Sequence, residues 1–274
     1  MPHIHVNPAL DAVVEFDDVG LHVMRRSRRK GTGKRKKMRR LAGEFQHERE
    51  WLLQGITMNV TPGESVAIIG HEDSGRDELL RLAAGTLIPD VGSVRRRQTI
   101  LPMVGALRAL DRSLTVRQNI FVIGGLLGMT PDESESKVNA IAAEAELLPK
   151  LDKYIGDARP IVKQKLVWSI CMAVEADAYA ISQIIVVGNE EFRAHCWERM
   201  EAKRAAGATF LLASDEPDFL VRFCDRSVVL HNGALVASTG VAEGLDLLET
   251  LPSSAPVRTK RRDDDDDDGE YDDF

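Results

Sequence analysis

The chain has 274 residues, 43% hydrophobic and 5% aromatic, with 36 basic and 43 acidic side chains and a net charge of −7. That length suits one sizeable α/β domain or two small ones, and the hydrophobic share is ordinary for a soluble globular protein. Scarce aromatics argue against a stacking platform for single-stranded nucleic acid, and the longest apolar stretch, near 119–129, is about half of the roughly 20 residues a membrane helix needs.

The charge is unevenly placed. Residues 25–40, from Arg25 to Arg40, are almost entirely basic, and 263–268 are six consecutive aspartates. The N-terminal Met1-Pro2-His3-Ile4-His5 lacks the pattern of a secretory leader, so none is expected. Cys171, Cys196 and Cys224 have no metal-ligand spacing and read as small buried apolar residues of a reduced chain. His3, His5, His22, His47, His71, His195 and His231 show no metal spacing either, and read as surface residues. No metal site is expected.

In chain order, residues 12–16 read as a first strand, and the basic run that follows cannot build a core and reads as a solvated loop. Residues 50–60 mix apolar and polar side chains like an edge or hairpin strand, and Thr61-Pro62-Gly63-Glu64 is a turn signal. A short β-branched strand at 65–70 ends in Gly70, a loop runs to Gly75, and 77–84 has helical spacing. Helices are predicted over 114–127, 130–148 and 162–174; the second starts well, with Thr130 ahead of Pro131 and acids. A buried strand at 179–188, a helix at 190–206 and strands at 208–214, 227–230 and 234–238 follow. The alternation predicts an α/β fold with a mainly parallel sheet, and the Pro-, Ser- and Asp-rich 251–274 reads as a disordered acidic tail.

The strand–loop–helix at 65–84 stands where a P-loop, G-x-x-x-x-G-K-[ST], would stand. Such a loop surrounds phosphates with backbone N–H groups, its lysine reaches the terminal phosphates and its hydroxyl binds Mg²⁺. Here it reads Gly70-His71-Glu72-Asp73-Ser74-Gly75-Arg76-Asp77. The framing glycines are present, Arg76 replaces the lysine and Asp77 the hydroxyl. A plain strand-to-helix turn at Gly70 and Gly75 is the alternative reading. Glu72, Asp73, Asp77 and Glu78 surround this loop with carboxylates. Two like charges about 4 Å apart repel by about 4 kcal/mol at an effective dielectric near 20, whereas a charge-assisted bond from Arg76 to phosphate returns about 1.5–3 kcal/mol.

Besides this loop the chain carries Gly63-Glu64-Ser65-Val66-Ala67-Ile68-Ile69-Gly70, Leu114-Thr115-Val116-Arg117-Gln118-Asn119-Ile120, Val187-Gly188-Asn189-Glu190-Glu191-Phe192, Cys224-Asp225-Arg226 and His231-Asn232-Gly233. Together they make the chain, to about residue 245, resemble the ATP-binding subunits of ABC exporters for O-antigen, capsule and teichoic acid. The resemblance implies an ABC-ATPase-like P-loop NTPase fold over 1–250: a mainly parallel core sheet, an antiparallel β subdomain and a helical subdomain at about 105–175. It also implies a membrane permease partner, a homodimer or pairing with another ABC subunit, and a place at the cytoplasmic face of the inner membrane.

The departures from the family pattern sit in its nucleotide motifs. Asp73 stands where the family has a third P-loop glycine, and the signature falls at Arg159-Pro160-Ile161-Val162, without serine or glycine. The Walker B strand ends Ala180-Ile181-Ser182-Gln183, so Ser182 replaces the Mg²⁺-supporting aspartate and Gln183 the catalytic glutamate. Asp215 replaces the switch histidine. An amide does not take a proton near neutral pH, and Ser182 brings no charge to a hard cation. Gly70, Ser74, Gly75, Arg76 and Asp77 therefore read as a vestigial P-loop, Ser182, Gln183 and Asp215 as a vestigial catalytic set, and the chain as a degenerate subunit that needs no cofactor and binds ATP/Mg²⁺ weakly or not at all. The rivals are an active ATPase using Arg76, and an anionic-lipid or nucleic-acid adaptor on a borrowed fold. For the basic run, a solvated loop, a contact with anionic lipid or the membrane subunit, and nucleic acid stay open, in that order.

Overall fold

The computed structural model describes residues 12–26, 47–182 and 189–252. Most of the basic run, Gln183 and the aspartate tail lie outside them.

The chain opens with a long antiparallel pair, β1 (Val14–Arg26) and β2 (His47–Val60). β1 extends well past the predicted end at residue 16 and into the first residues of the basic run. Beyond Phe16 its register against β2 shifts repeatedly, and irregularities of that kind blur a strict two-residue hydrophobic repeat. β4 (Val91–Arg96) pairs with the other side of β1, leaving β2 at the edge of a three-stranded sheet.

The second sheet carries β5 (Ile100–Pro102), β6 (Ala178–Ser182), β7 (Thr209–Ala213), β3 (Ser65–Gly70), β8 (Arg226–His231) and β9 (Ala234–Thr239), in that spatial order. The first five run parallel, and β9 turns back antiparallel against β8. The expected α/β class with a mainly parallel sheet is the one found. β3 is buried at every residue, with Ala67 and Ile69 in one apolar cluster and Val66 and Ile68 in another. Burial on both faces is why it reads as a continuous β-branched run without alternation.

Seven helices of regular α type occur among the described residues: α1 (Arg76–Ala84), α2 (Val116–Leu126), α3 (Pro131–Glu144), α4 (Pro160–Ala173), α5 (Glu190–Ala205), α6 (Pro217–Phe223) and α7 (Val241–Thr250). α1 inserts Leu79, Leu80, Leu82 and Ala83 between the two sheets. α2 to α5 pack on the opposite face around Trp168, Ile120, Val138 and Phe192. Thr130 forms the expected start of α3 as a reciprocal capping box: its Oγ1 accepts from the Glu133 N–H at 3.2 Å, and Glu133 Oε2 accepts from the Thr130 N–H at 2.7 Å. All three cysteines are buried and free, and burial pushes each thiol up to about 12. Histidines 22, 71, 195 and 231 are half-buried, which corrects the expectation of simple surface residues.

Candidate functional site

In a parallel sheet the loops after the strands' carboxyl ends form the usual ligand crevice. Here that edge brings together Gly70 of β3, Ser182 of β6 and the residues just after Ala213 of β7. The register sets Ser182 beside Ala213, and Ala67 beside Leu212.

The loop leaving β3 keeps a P-loop backbone. Ser74 N–H donates to His71 O at 3.0 Å, and Gly75 N-caps α1 at φ 90°. Glycine is required there twice over. The φ is left-handed, and a Cβ would stand 2.6 Å from Leu53 Cδ2 of β2. Asp73, at the family's third glycine, also has a positive φ of 67°. Aspartate is one of the few side chains that enters this region readily, so the loop's shape survives the replacement.

Its chemistry differs. Arg76 Nη1 donates to Asp215 Oδ1 at 2.8 Å; the arginine side chain is 13% exposed and the aspartate 66%. Ser182 Oγ donates to Asp77 Oδ1 at 2.5 Å, and Ser182 is 7% exposed. Four of the positions expected to differ from the family pattern are thus joined in two pairs. Asp77 and Glu78 also place carboxylates in the first turn of α1. They complement the positive end of the helix dipole, the position a phosphate would occupy. A triphosphate with Mg²⁺ does not fit this set. It would meet like charge at the helix start and would have to take Arg76 from Asp215. Ser74 Oγ is buried without a hydrogen-bond partner among the described residues, and a Cβ on Gly70 would collide with it. His71 Nε2 lies 3.2 Å from Leu251 O. Gln183 falls outside the described residues.

At the signature position Arg159 is the N-cap of α4 without a side-chain cap, and Pro160 occupies the first turn. Proline removes one of the N–H groups that a helix start could offer to phosphate. No group of three or more His, Cys, Asp or Glu among the described residues is arranged to hold a metal.

The other quoted motifs bond to the chain itself. Asp225 accepts from the Ser65 N–H and from Arg204, both at 2.7 Å. Arg226 reaches Glu64 Oε1 at 2.5 Å and the Asn59 carbonyl at 2.7 Å, fastening the turn before β3 to β8. Thr115 and Gln118 form a capping box for α2. The fully buried Asn119 amide donates to the Asp111, Leu114 and Thr115 carbonyls and accepts from the Asp111 N–H. Asn189 caps α5 by accepting from the Phe192 N–H at 3.2 Å. These framework roles, and the pairing of the replaced residues, were not readable from the sequence; the Thr115–Gln118 spacing was its one local signal.

No protein-family model matches the chain. The O-antigen export system ATP-binding protein of Klebsiella pneumoniae is 30% identical over 183 residues, which are 67% of this chain and 74% of that one. The polysialic acid transport ATP-binding protein of Escherichia coli is 27% identical over 199 residues, 72% of this chain and 88% of that one. An ABC transporter protein of Aeromonas salmonicida is 27% identical over 184 residues, 67% of this chain but only 60% of its own length. Among solved structures, an ATP-binding subunit of an ABC transporter superposes with a TM-score of 0.65 at 20% identity, covering 87% of this chain and 95% of that one. An ATP-binding cassette dimer bound to ADP and Pi gives 0.65 at 16% identity, covering 83% and 98%.

Proposed function

The chain belongs to the ATP-binding subunits of ABC exporters for surface polysaccharides, and from that premise we propose that it serves such an exporter as a non-hydrolysing scaffold or regulatory subunit. The observation that carries this reading is the state of the pocket: Arg76 is bonded to Asp215 and Asp77 to Ser182. A cation that should meet phosphate has a protein anion, and the residue at the metal-binding hydroxyl is itself an anion. At Gln183 the chain has an amide where a general base is needed.

In this family a complete site joins the P-loop and Walker B strand of one subunit to the signature of another. Both halves are altered here, so pairing with a competent subunit leaves both composite sites impaired. That favours a structural or regulatory role over the silent half of an asymmetric motor. The partner is an integral membrane permease of a polysaccharide exporter, and the chain sits at the cytoplasmic face of its membrane. No helix among the described residues is long and apolar enough to cross a bilayer. Contact with anionic lipid through the basic run from Arg25 to Arg40 is part of the same proposal, at about 1 kcal/mol per basic side chain near the surface.

Two measurements test it. The purified full chain should show no Mg²⁺-dependent ATP turnover; turnover that disappears in Arg76→Ala establishes an active ATPase instead. Affinity purification from native membrane should co-elute a polysaccharide-export permease; salt-sensitive nucleic acid in its place supports the adaptor reading.

A further inference from the structure

The four altered pocket positions form a reciprocal exchange. The family pattern has a cation and a hydroxyl at the start of the first helix, facing a histidine and an aspartate at the strand ends. In this chain the hydroxyl and the carboxylate have traded places: Asp77 is on the helix and Ser182 on β6. The cation stays at Arg76, and the switch position has become its counter-ion, Asp215. The exchange restores, within the protein, pairings that a ligand would otherwise supply.

We propose that Arg76–Asp215 and Asp77–Ser182 are two protein-built clamps that take the place of the terminal phosphate and its metal, holding the loop and helix α1 against the ends of β6 and β7 without nucleotide. The proposal rests on the non-hydrolysing reading above and adds to it a fixed conformation. The bonds join residues 139 and 105 positions apart, so each links separate chain segments across the crevice. Both act at the first turn of α1, whose N-cap Gly75 supplies no side-chain bond of its own. Arg76 is largely covered by protein while Asp215 stays mostly exposed, so the pairing gives the covered guanidinium a counter-ion at the edge of the solvent. With both clamps closed, the subunit offers nucleotide neither a free cation nor a free metal ligand, and ATP has no leverage on its shape, since a ligand shifts a conformational equilibrium only by its differential affinity.

Thermal melting of the full chain tests the clamps by two double-mutant cycles with size-preserving changes, Arg76→Gln with Asp215→Asn and Asp77→Asn with Ser182→Ala. Each single change should lower Tm by about 1–4 °C. Within a pair, the double variant should fall no further than its larger single. Additive losses within a pair remove that clamp. The cycles are independent, so a variant that fails to fold leaves the other pair to decide. Millimolar Mg–ATP is the second arm: it should not move the Tm of the unaltered chain, but should raise that of R76K/D77S/S182D/D215H. A rise in the unaltered chain overturns the non-hydrolysing reading whatever the cycles show. Additive cycles without any such rise overturn the clamps alone.

Discussion

The junction at the start of β3 and the crevice at its end make an instructive pair. At the start, Arg226 pairs with Glu64 and the Asn59 carbonyl, and Asp225 accepts from the Ser65 N–H and from Arg204. At the end, Arg76 pairs with Asp215 and Asp77 with Ser182. The difference lies in what each set would otherwise face. The first set always has the protein as its partner, and any change leaves a backbone donor or acceptor unmet. The second set lines the crevice at the strand ends, where the proposed reading has its members satisfy each other in place of a ligand. Both regions end up with their polar groups paired.

Mutations can break or sharpen that contrast. The largest effect is expected at the junction: Arg226→Met leaves the half-buried Glu64 carboxylate with Thr61 as its remaining partner and no counter-ion, and removes the bond to the Asn59 carbonyl. The loss should be about 3 kcal/mol, or roughly 6–12 °C in Tm, read by calorimetry. Asn119→Ala comes next, because it strands the Asp111 N–H and takes a second hydrogen bond from the Asp111, Leu114 and Thr115 carbonyls, which keep their backbone partners; a loss of about 2 kcal/mol is expected in urea unfolding, with m unchanged. Thr130→Ala should cost about 1 kcal/mol through loss of the α3 cap.

The pocket variants should lie below all of these. Asp215→Asn is expected to cost at most about 1 kcal/mol, since the aspartate is mostly exposed. A pocket variant that unfolds the chain as severely as Arg226→Met would erase the distinction between the two regions.

Acid unfolding offers a finer probe. Hydrogen bonds from the Thr130 N–H and hydroxyl hold the Glu133 carboxyl below the usual carboxylate range. A carboxyl lowered by folding contributes stability above its unfolded pKa and loses it as pH falls through the folded value. Glu133→Gln should therefore lower Tm at neutral pH, flatten the acid limb of a Tm-against-pH curve and leave the pH dependence of the neutral region unchanged. The cysteines supply a control at the bottom of the scale: buried and pushed up to about 12, they should resist alkylation in the native state and react only on unfolding.

Much of this protein was legible in its residues. The continuous β-branched run 65–70, the Gly70 and Gly75 frame and the leucines of α1 located the crevice, because a strand buried on both faces and an amphipathic helix each leave a local hydrophobic pattern. Thr130-Pro131-Asp132-Glu133 announced a helix start through its own capping chemistry. Exposed or very short elements left no such trace. β4 is mostly exposed, β5 has three residues, and α6 has seven. Residue identities alone set Arg76, Asp77, Ser182 and Asp215 at the expected nucleotide motifs. Only the folded chain decided that they are paired. Arg76 finds Asp215, and Asp77 finds Ser182, because the spatial order β6, β7, β3 sets strand ends side by side that are more than a hundred residues apart along the chain. Hydrophobic periodicity and turn chemistry act over a few residues, whereas partners across a parallel sheet are chosen by strand order and register, which no local pattern encodes.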